Sequence, residues 1–334
     1  MSMHRALSIP ALTFLLIAGC GRTPPPGQVA VPISSAHSTS AEQPPITVTA
    51  NEKPLDVPGI HNVIRVNDKL ISGGVPEGDE GFESLRRMGV RTVISVDGAR
   101  PEVDRARKAG LRYVHLPISY NGVPREQGLR LARAVRDLPG QVYIHCHHGK
   151  HRSPAAAAAI KRCLDGNCTA EDATAMLKQA GTGANYKGLY AVVNEFAAVS
   201  NEDLDRVSAD FPESAPVGMF VELMVTVDTH WDHLKLIRAA GWKTPPKHPA
   251  LDPAHEALLL REAYHESARL GDVKKRSEEM HEWLVESEKN AKQLEDILLA
   301  GKSSGKVDTE AAEKVYKLAA TDCSKCHAKY RDVR

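Results

Sequence analysis

The chain has 334 residues, with 43 Lys and Arg against 42 Asp and Glu and a net charge of +1. A balance this even excludes the global positive field that draws a protein to nucleic acid. The length calls for about two domains. Six cysteines, Cys20, Cys146, Cys163, Cys168, Cys323 and Cys326, each fall in a local pattern.

At the start of the chain, His4 and Arg5 precede an apolar run from Ala6 to Ala18. The run is too short to span a bilayer as a mature helix, and 1–19 read as an export signal. It ends in Leu16-Ile17-Ala18-Gly19-Cys20, which resembles a bacterial lipobox. That resemblance implies cleavage before Cys20, lipid on its sulfur, and a membrane-anchored lipoprotein on the periplasmic side. An ordinary secretory signal with a chance cysteine is the other reading. The stretch 20–56 is rich in Pro, Ser and Thr and reads as a flexible tether.

A globular segment follows over 57–200. RTVISVD (91–97), LRYVHLPIS (111–119) and QVYIHC (141–146) are strand-like, being short, apolar and β-branched. EGFESLRRMG (80–89) and REQGLRLARAVRDL (125–138) have helical spacing, and SPAAAAAIKRCL (153–164) carries a proline suited to a first helical turn. Strands alternating with helices predict an α/β fold, a mostly parallel sheet flanked by helices.

Between the third strand and the following helix lies HCHHGKHRS (145–153). Loop amides and the helix dipole favour an anion above such a loop. The same field favours the anionic, nucleophilic form of the Cys146 thiol. Arg152 can grip two oxygens of a phosphate at once. Ser153 can donate a hydrogen bond to the sulfur, and Gly149 lets the loop turn tightly. His145-Cys146, five residues, then Arg152-Ser153 resembles the HC-x5-R-[ST] signature of the cysteine-dependent protein tyrosine and dual-specificity phosphatases. The resemblance covers 57–200. It implies attack of Cys146 on phosphorus, a phosphocysteine, and its hydrolysis by water.

One departure stands out. The family supplies an Asp general acid from a loop upstream of the cysteine, and such an acid contributes roughly 10²–10⁴-fold. Here that loop reads ISYNGVP (118–124), with Tyr120 where the Asp is expected. Asp97 is the substitute acid this reading favours; Glu126 and the loop histidines are others. His147, His148, Lys150 and His151 are expected to form a cationic, phosphate-binding rim that favours polyanionic substrates. Side chains around a tight loop diverge, which argues against a metal cluster there. Cys163 and Cys168 flank the turn CLDGNC, and outside the cytoplasm a structural disulfide between them is expected.

The last segment, 215–334, is all helical in pattern, with periodic stretches over 216–240, 253–270, 273–300 and 308–331. Apolar stripes such as Phe220, Met224, Val227, Trp231 and Leu234 predict an up-down four-helix bundle. Its last stripe ends in Cys323-Ser324-Lys325-Cys326-His327, a C-x-x-C-H pattern that reads as c-type haem attachment. CSKCHAKYR (323–331), at the end of four helices, resembles the cytochrome c′ and c556 family. The resemblance implies covalent haem c on Cys323 and Cys326, with His327 as the fifth iron ligand. For the sixth position Met224 is the candidate thioether ligand, while Phe220 would instead leave iron five-coordinate; Met219 lies off the stripe. Homodimers are a further expectation from that family.

Two function classes remain open. One is a membrane-tethered phosphatase, acting on a phosphomonoester or phosphoanhydride, whose haem serves redox or gas sensing. The other is an electron-transfer cytochrome with a redox partner, whose phosphatase-like half only binds a phosphorylated one.

Overall fold

A computed structural model describes residues 44–47 and 53–331. The export signal, Cys20 and most of the tether lie outside the described residues. No helix among the described residues is long and apolar enough to cross a membrane.

Six strands form one sheet: β1 (Leu55–Val57), β2 (Ile60–Arg65), β3 (Leu70–Gly73), β4 (Val90–Ser95), β5 (Arg112–His115) and β6 (Gln141–His145), in the order β1-β2-β3-β6-β4-β5. The last four in that order are parallel, and β1 and β2 extend the sheet as antiparallel strands. The strands expected from the sequence include none of β1, β2 and β3. β6 lies between β3 and β4, and its His145 is in register with both Gly73 and Ser95. The predicted strands run on too far. β4 stops at Ser95 and β5 at His115, so Asp97 and Tyr120 lie on the chain beyond the carboxyl ends of the strands. In open α/β sheets that edge is where ligands bind.

Eight helices belong to this half: α1 (Gly78–Arg87), α2 (Val103–Lys108), α3 (Arg125–Asp137), α4 (Arg152–Leu164), α5 (Ala170–Gln179), α6 (Lys187–Tyr190), α7 (Val192–Glu195) and α8 (Asn201–Arg206). α1 and α2 share one core with Val93 and Tyr143, and α3, α4 and α5 share another with Ile94 and Ile144. Alternate residues of a strand face opposite sides, so the sheet is covered on both faces. α4 owes its place to Ala155–Ala159, all fully buried. Alanine is the best helix former and its small side chain lets a helix lie close to its neighbours.

The second half contains α9 (Met219–Ala239), α10 (Pro253–Arg269), α11 (Gly271–Arg276), α12 (Glu278–Ser304) and α13 (Thr309–Tyr330). Leu234, Leu260, Leu284, Leu294, Leu298 and Val315 build its single core. Trp231 of α9 stacks on Tyr316 of α13 at 4.4 Å. Asp252, Ser277 and Asp308 cap α10, α12 and α13 through side-chain oxygens that accept backbone N–H bonds. The Ser277 cap explains why the helix expected over 273–300 is two helices: the chain is extended at Ser277 and α12 restarts there.

Gly128 gives a test of this packing. Glycine inside a helix ordinarily costs stability relative to alanine. A Cβ at Gly128 would lie 2.3 Å from the buried Phe196 ring. Gly128→Ala therefore destabilises, by roughly 1–3 kcal/mol, where helix propensity alone predicts the opposite sign. Thermal unfolding of the two proteins decides between them.

Candidate active site

β6 carries His145 and Cys146 to the sheet edge, and α4 starts at Arg152. The loop between them is held from outside by its carbonyls. The carbonyl of His147 accepts from the Val75 amide at 3.0 Å, that of Gly149 from Asn62 Nδ2 at 2.9 Å, and that of Lys150 from the Thr182 hydroxyl at 2.6 Å. In a trans peptide the N–H points opposite the C=O. The amides of His148, Lys150 and His151 therefore turn away from those partners. Gly149 makes the turn at φ +70°, where a Cβ would lie 2.4 Å from the Gly73–Gly74 backbone, so no other residue fits.

Cys146 is buried, with its Sγ 3.4 Å from Ser153 Oγ. Ser153 donates its own proton to the Gly73 carbonyl at 3.0 Å. In that arrangement the hydroxyl accepts from the thiol. Donation to sulfur, as expected from the sequence, requires the hydroxyl to turn away from Gly73.

Arg152 is 8% exposed, and its Nη1 and Nη2 donate to the two oxygens of Asp97 at 3.0 and 3.2 Å. Its buried Nε has no hydrogen-bond partner among the described residues. Burial pushes the Asp97 carboxyl up, but the Arg152 guanidinium, with His147 and His145, outweighs it and holds the group below its usual range. This corrects the expectation for Asp97. An ionised carboxylate clamped on the arginine stores no proton for a leaving group; it positions Arg152. Glu126 is exposed in the first turn of α3.

The loop histidines also differ from the cationic rim expected of them. Burial pushes His151 down to about 4, helped by Arg331, His148 and Arg152. Burial and the neighbouring His147 lower His148. Burial drives His145 to about 4, and its Nε2 lies 2.6 Å from the Tyr113 hydroxyl. Only His147 is raised, by its hydrogen bond to Asp232, 3.2 Å away on α9. His148 lies 3.8 Å from the same carboxylate, so these two side chains converge where divergence was expected. Lys150 is exposed.

Over the loop, Tyr120 carries two guanidinium groups against its ring: Arg152 at 4.6 Å and Arg331 at 4.3 Å. Arg331 Nη2 donates to the Tyr186 hydroxyl at 3.2 Å, and the Tyr186 ring lies 4.3 Å from that of His151. Burial pushes the Tyr120 phenol up to about 12. Asn62, Thr182, Tyr186, Asp232 and Arg331 were not singled out for this site from the sequence, since no motif places them beside the loop.

Cys163 and Cys168 are separate thiols, which corrects the expected disulfide. Cys163 turns into the core shared by α3 and α4, while Cys168 donates to the Thr169 carbonyl at 3.7 Å.

On α13, Cys323 and Cys326 are half-buried free thiols three residues apart, hence on one helix face. The Cys323 sulfur lies 3.3 Å from the buried Tyr264 hydroxyl. Burial raises both thiols, Cys326 to about 11. His327 is half-buried beside them, and Phe220, Met224 and Tyr330 pack at the edge of the same core. Met219 is exposed. Two free adjacent thiols, an imidazole and an apolar surround fit a covalently attached haem.

No family model matches the chain. The "Beta-lactamase hydrolase-like protein" of Xylella fastidiosa, in strains Temecula1 and 9a5c, is 27% identical over 123 residues, 34% of this chain and 28% of the relative. The chain thus spans little more than a quarter of these relatives' length. Among solved structures, a DUF442 protein from Shewanella putrefaciens CN-32 is 21% identical with a TM-score of 0.34, covering 42% of this chain and 93% of its own. TpbA of P. aeruginosa is 21% identical with a TM-score of 0.36, covering 46% and 92%.

The Asp97–Arg152 pair sets a prediction. Asp97→Asn leaves a buried guanidinium without its counter-charge and costs roughly 3–5 kcal/mol. Because the folded carboxyl is depressed, its contribution is full above the ordinary Asp value, about 3.9. It is lost as pH falls through the lower folded value. Thermal melts from neutral to acid pH show a steeper acid loss in the wild type than in Asp97→Asn.

Proposed function

We propose that the chain is an exported, cysteine-dependent phosphatase whose second half carries covalent haem c. The observation that carries the first part is the Cys146 thiol beside Ser153 and Arg152, over a loop whose carbonyls are bound from outside. Cys146 attacks phosphorus and the P–O bond breaks, the leaving oxygen keeping the electron pair. Arg152, whose Nε is unengaged, and the loop amides hold the phosphoryl oxygens. Water then cleaves the P–S bond, giving phosphate and returning the thiol group.

Among the loop's histidines only His147 is raised, and its Nε2 is engaged by Asp232 rather than turned to a leaving group. Asp97 is ionised on Arg152, His151 is already neutral, and Tyr120 keeps its proton tightly. The preferred substrates are therefore those whose leaving group departs as an anion unaided, aryl phosphates or phosphoanhydrides. Lipid on Cys20 would place the enzyme on the periplasmic side of a membrane.

In the helical half, read as a four-helix bundle of the cytochrome c′ type, Cys323 and Cys326 would hold the haem through thioether links and His327 would supply an imidazole to its iron. Bound there, haem supplies a redox-active metal that also takes small ligands. The half-buried Met224 is the thioether nearest in role to a sixth ligand; Phe220 shares that core edge. A second reading, an electron carrier whose other half only binds a phosphorylated partner, draws on one observation. Cys146 is 2% exposed beneath Tyr120 and its neighbours.

Turnover of a series of aryl and alkyl phosphates, with Cys146→Ser as control, separates the two. Cys146-dependent turnover that falls steeply, by a factor of ten or more, from aryl to alkyl leaving groups is the expected result. Phosphate-analogue binding without Cys146-dependent turnover would favour the electron carrier. A shallow dependence on the leaving group would mean that an acid operates, with His147 the raised histidine at the loop.

A further inference from the structure

A second cluster of ligating side chains lies between α9 and α10, apart from both the loop and the C-x-x-C-H segment. His230 and His233 are three residues apart on α9 and so share a face. Both direct Nδ1 at one atom, Oε2 of Glu256 on α10, each at 2.8 Å. The Glu256 side chain is 7% exposed, that of His230 15% and that of His233 33%. All three ligand atoms lie within 4.8 Å of one another.

The backbone turn that carries the carboxylate is held independently of any cation. Glu256 sits in the first turn of α10, where its N–H donates to the Asp252 carbonyl at 3.0 Å. The Asp252 side chain caps the same turn through the His255 amide at 3.0 Å. With no cation, both imidazoles must keep their proton on Nδ1 and aim both at one oxygen. A dication satisfies the two nitrogen lone pairs and the oxygen together.

We propose that His230, His233 and Glu256 form a binding site for a divalent transition-metal cation, of zinc's chemistry, that clamps α9 onto α10. Two imidazole nitrogens and one carboxylate oxygen make three corners of the tetrahedron zinc prefers. The partial exposure of His233 leaves the fourth to water. Asp232, between the two histidines in sequence, is turned toward His147 and His148 instead. The site therefore shares no side chain with the triad at the loop. It also does not depend on the phosphatase reading.

The test uses the full chain with its haem attached, stripped with a chelator and titrated with Zn²⁺ alone. Calorimetry and elemental analysis read the stoichiometry, and zinc-edge absorption on the wild type reads the ligands. Glu256→Gln and His233→Ala are each expected to weaken the retained zinc at least tenfold. Asp232→Asn keeps it. The absorption data show two imidazoles and oxygen donors at about 2.0–2.2 Å, with no sulfur. Zinc raises the wild-type melting temperature and leaves that of Glu256→Gln unmoved. Haem spectra and melts in chelator show whether the variants fold; where one does not, the wild-type absorption data decide alone. No retained zinc, or zinc indifferent to both substitutions, overturns the site. Loss in Asp232→Asn alone would move the cation to the loop triad and equally overturn it.

Discussion

The buried ion pair of Arg152 and Asp97 is the constraint on which the rest of the site depends. Each charge alone, taken out of water, costs several kcal/mol, so neither is tolerable in that position without the other. Arg152 opens α4 and Asp97 follows β4, so the pair ties the helix start to the strand end across the cysteine loop. The tie continues outward. The Asp97 carbonyl lies 2.8 Å from His115 Nε2, and His115 Nδ1 accepts from the Ala215 amide at 3.0 Å. Those two bonds fix His115 as the neutral tautomer with its proton on Nε2, which agrees with burial lowering its pKa. The His115 amide also donates to the Pro212 carbonyl at 2.8 Å. A single polar chain thus runs from Arg152 to the segment that leads into α9.

The same pair shows what a sequence can and cannot convey. HC-x5-RS fixes a strand, a tight loop and a helix start because those features are local. That part was legible, down to Gly149 as the one residue able to make the turn. Asp97 was legible as an acid near the site and illegible as to its state. Whether a carboxyl holds a proton depends on what faces it, and only the fold sets Arg152 against it at 3.0 Å. The loop histidines teach the same point with the opposite sign. Three of them, with Lys150, read as a cationic rim, yet burial lowers His148 and His151, and of the three only His147, bonded to Asp232, is raised. Cys163 and Cys168 read as a staple because they flank a turn, but Cys163 lies on the core side of α4.

In the helical half, the C-x-x-C-H segment could be read because three neighbouring residues carry it. The cluster of His230, His233 and Glu256 could not. Its members come from two helices joined by a long connection, and only the register between α9 and α10 brings them together. The break at Ser277 was hidden for a different reason. The apolar spacing continues through it, and a cap interrupts a helix without interrupting its stripe.

The two halves meet through side chains that belong to the chemistry of each. Asp232 of α9 reaches His147, the Val221 side chain lies against Gly98 beside Asp97, and Arg331 covers Tyr120. Arg331 follows α13, and its amide donates to the His327 carbonyl at 2.9 Å, one turn from the imidazole read as the iron ligand. Were an iron held there, an event at it could alter the cysteine loop only so far as it favoured one of two arrangements of this contact over the other. The side chains that would differ between them are few: Arg331, Tyr120, Tyr186 and the His147–Asp232 pair. Cation–ring and half-buried ion contacts of this kind contribute about 0.5–2 kcal/mol each. Such a contact is weak enough to be exchanged and, summed over three or four members, strong enough to move a two-state population by an order of magnitude or more. The covered thiol of Cys146 and the C-x-x-C-H helix are thus joined by a few side-chain contacts, Arg331 on Tyr120 and Tyr186 and Asp232 on His147, beside the polar chain through Asp97 and His115.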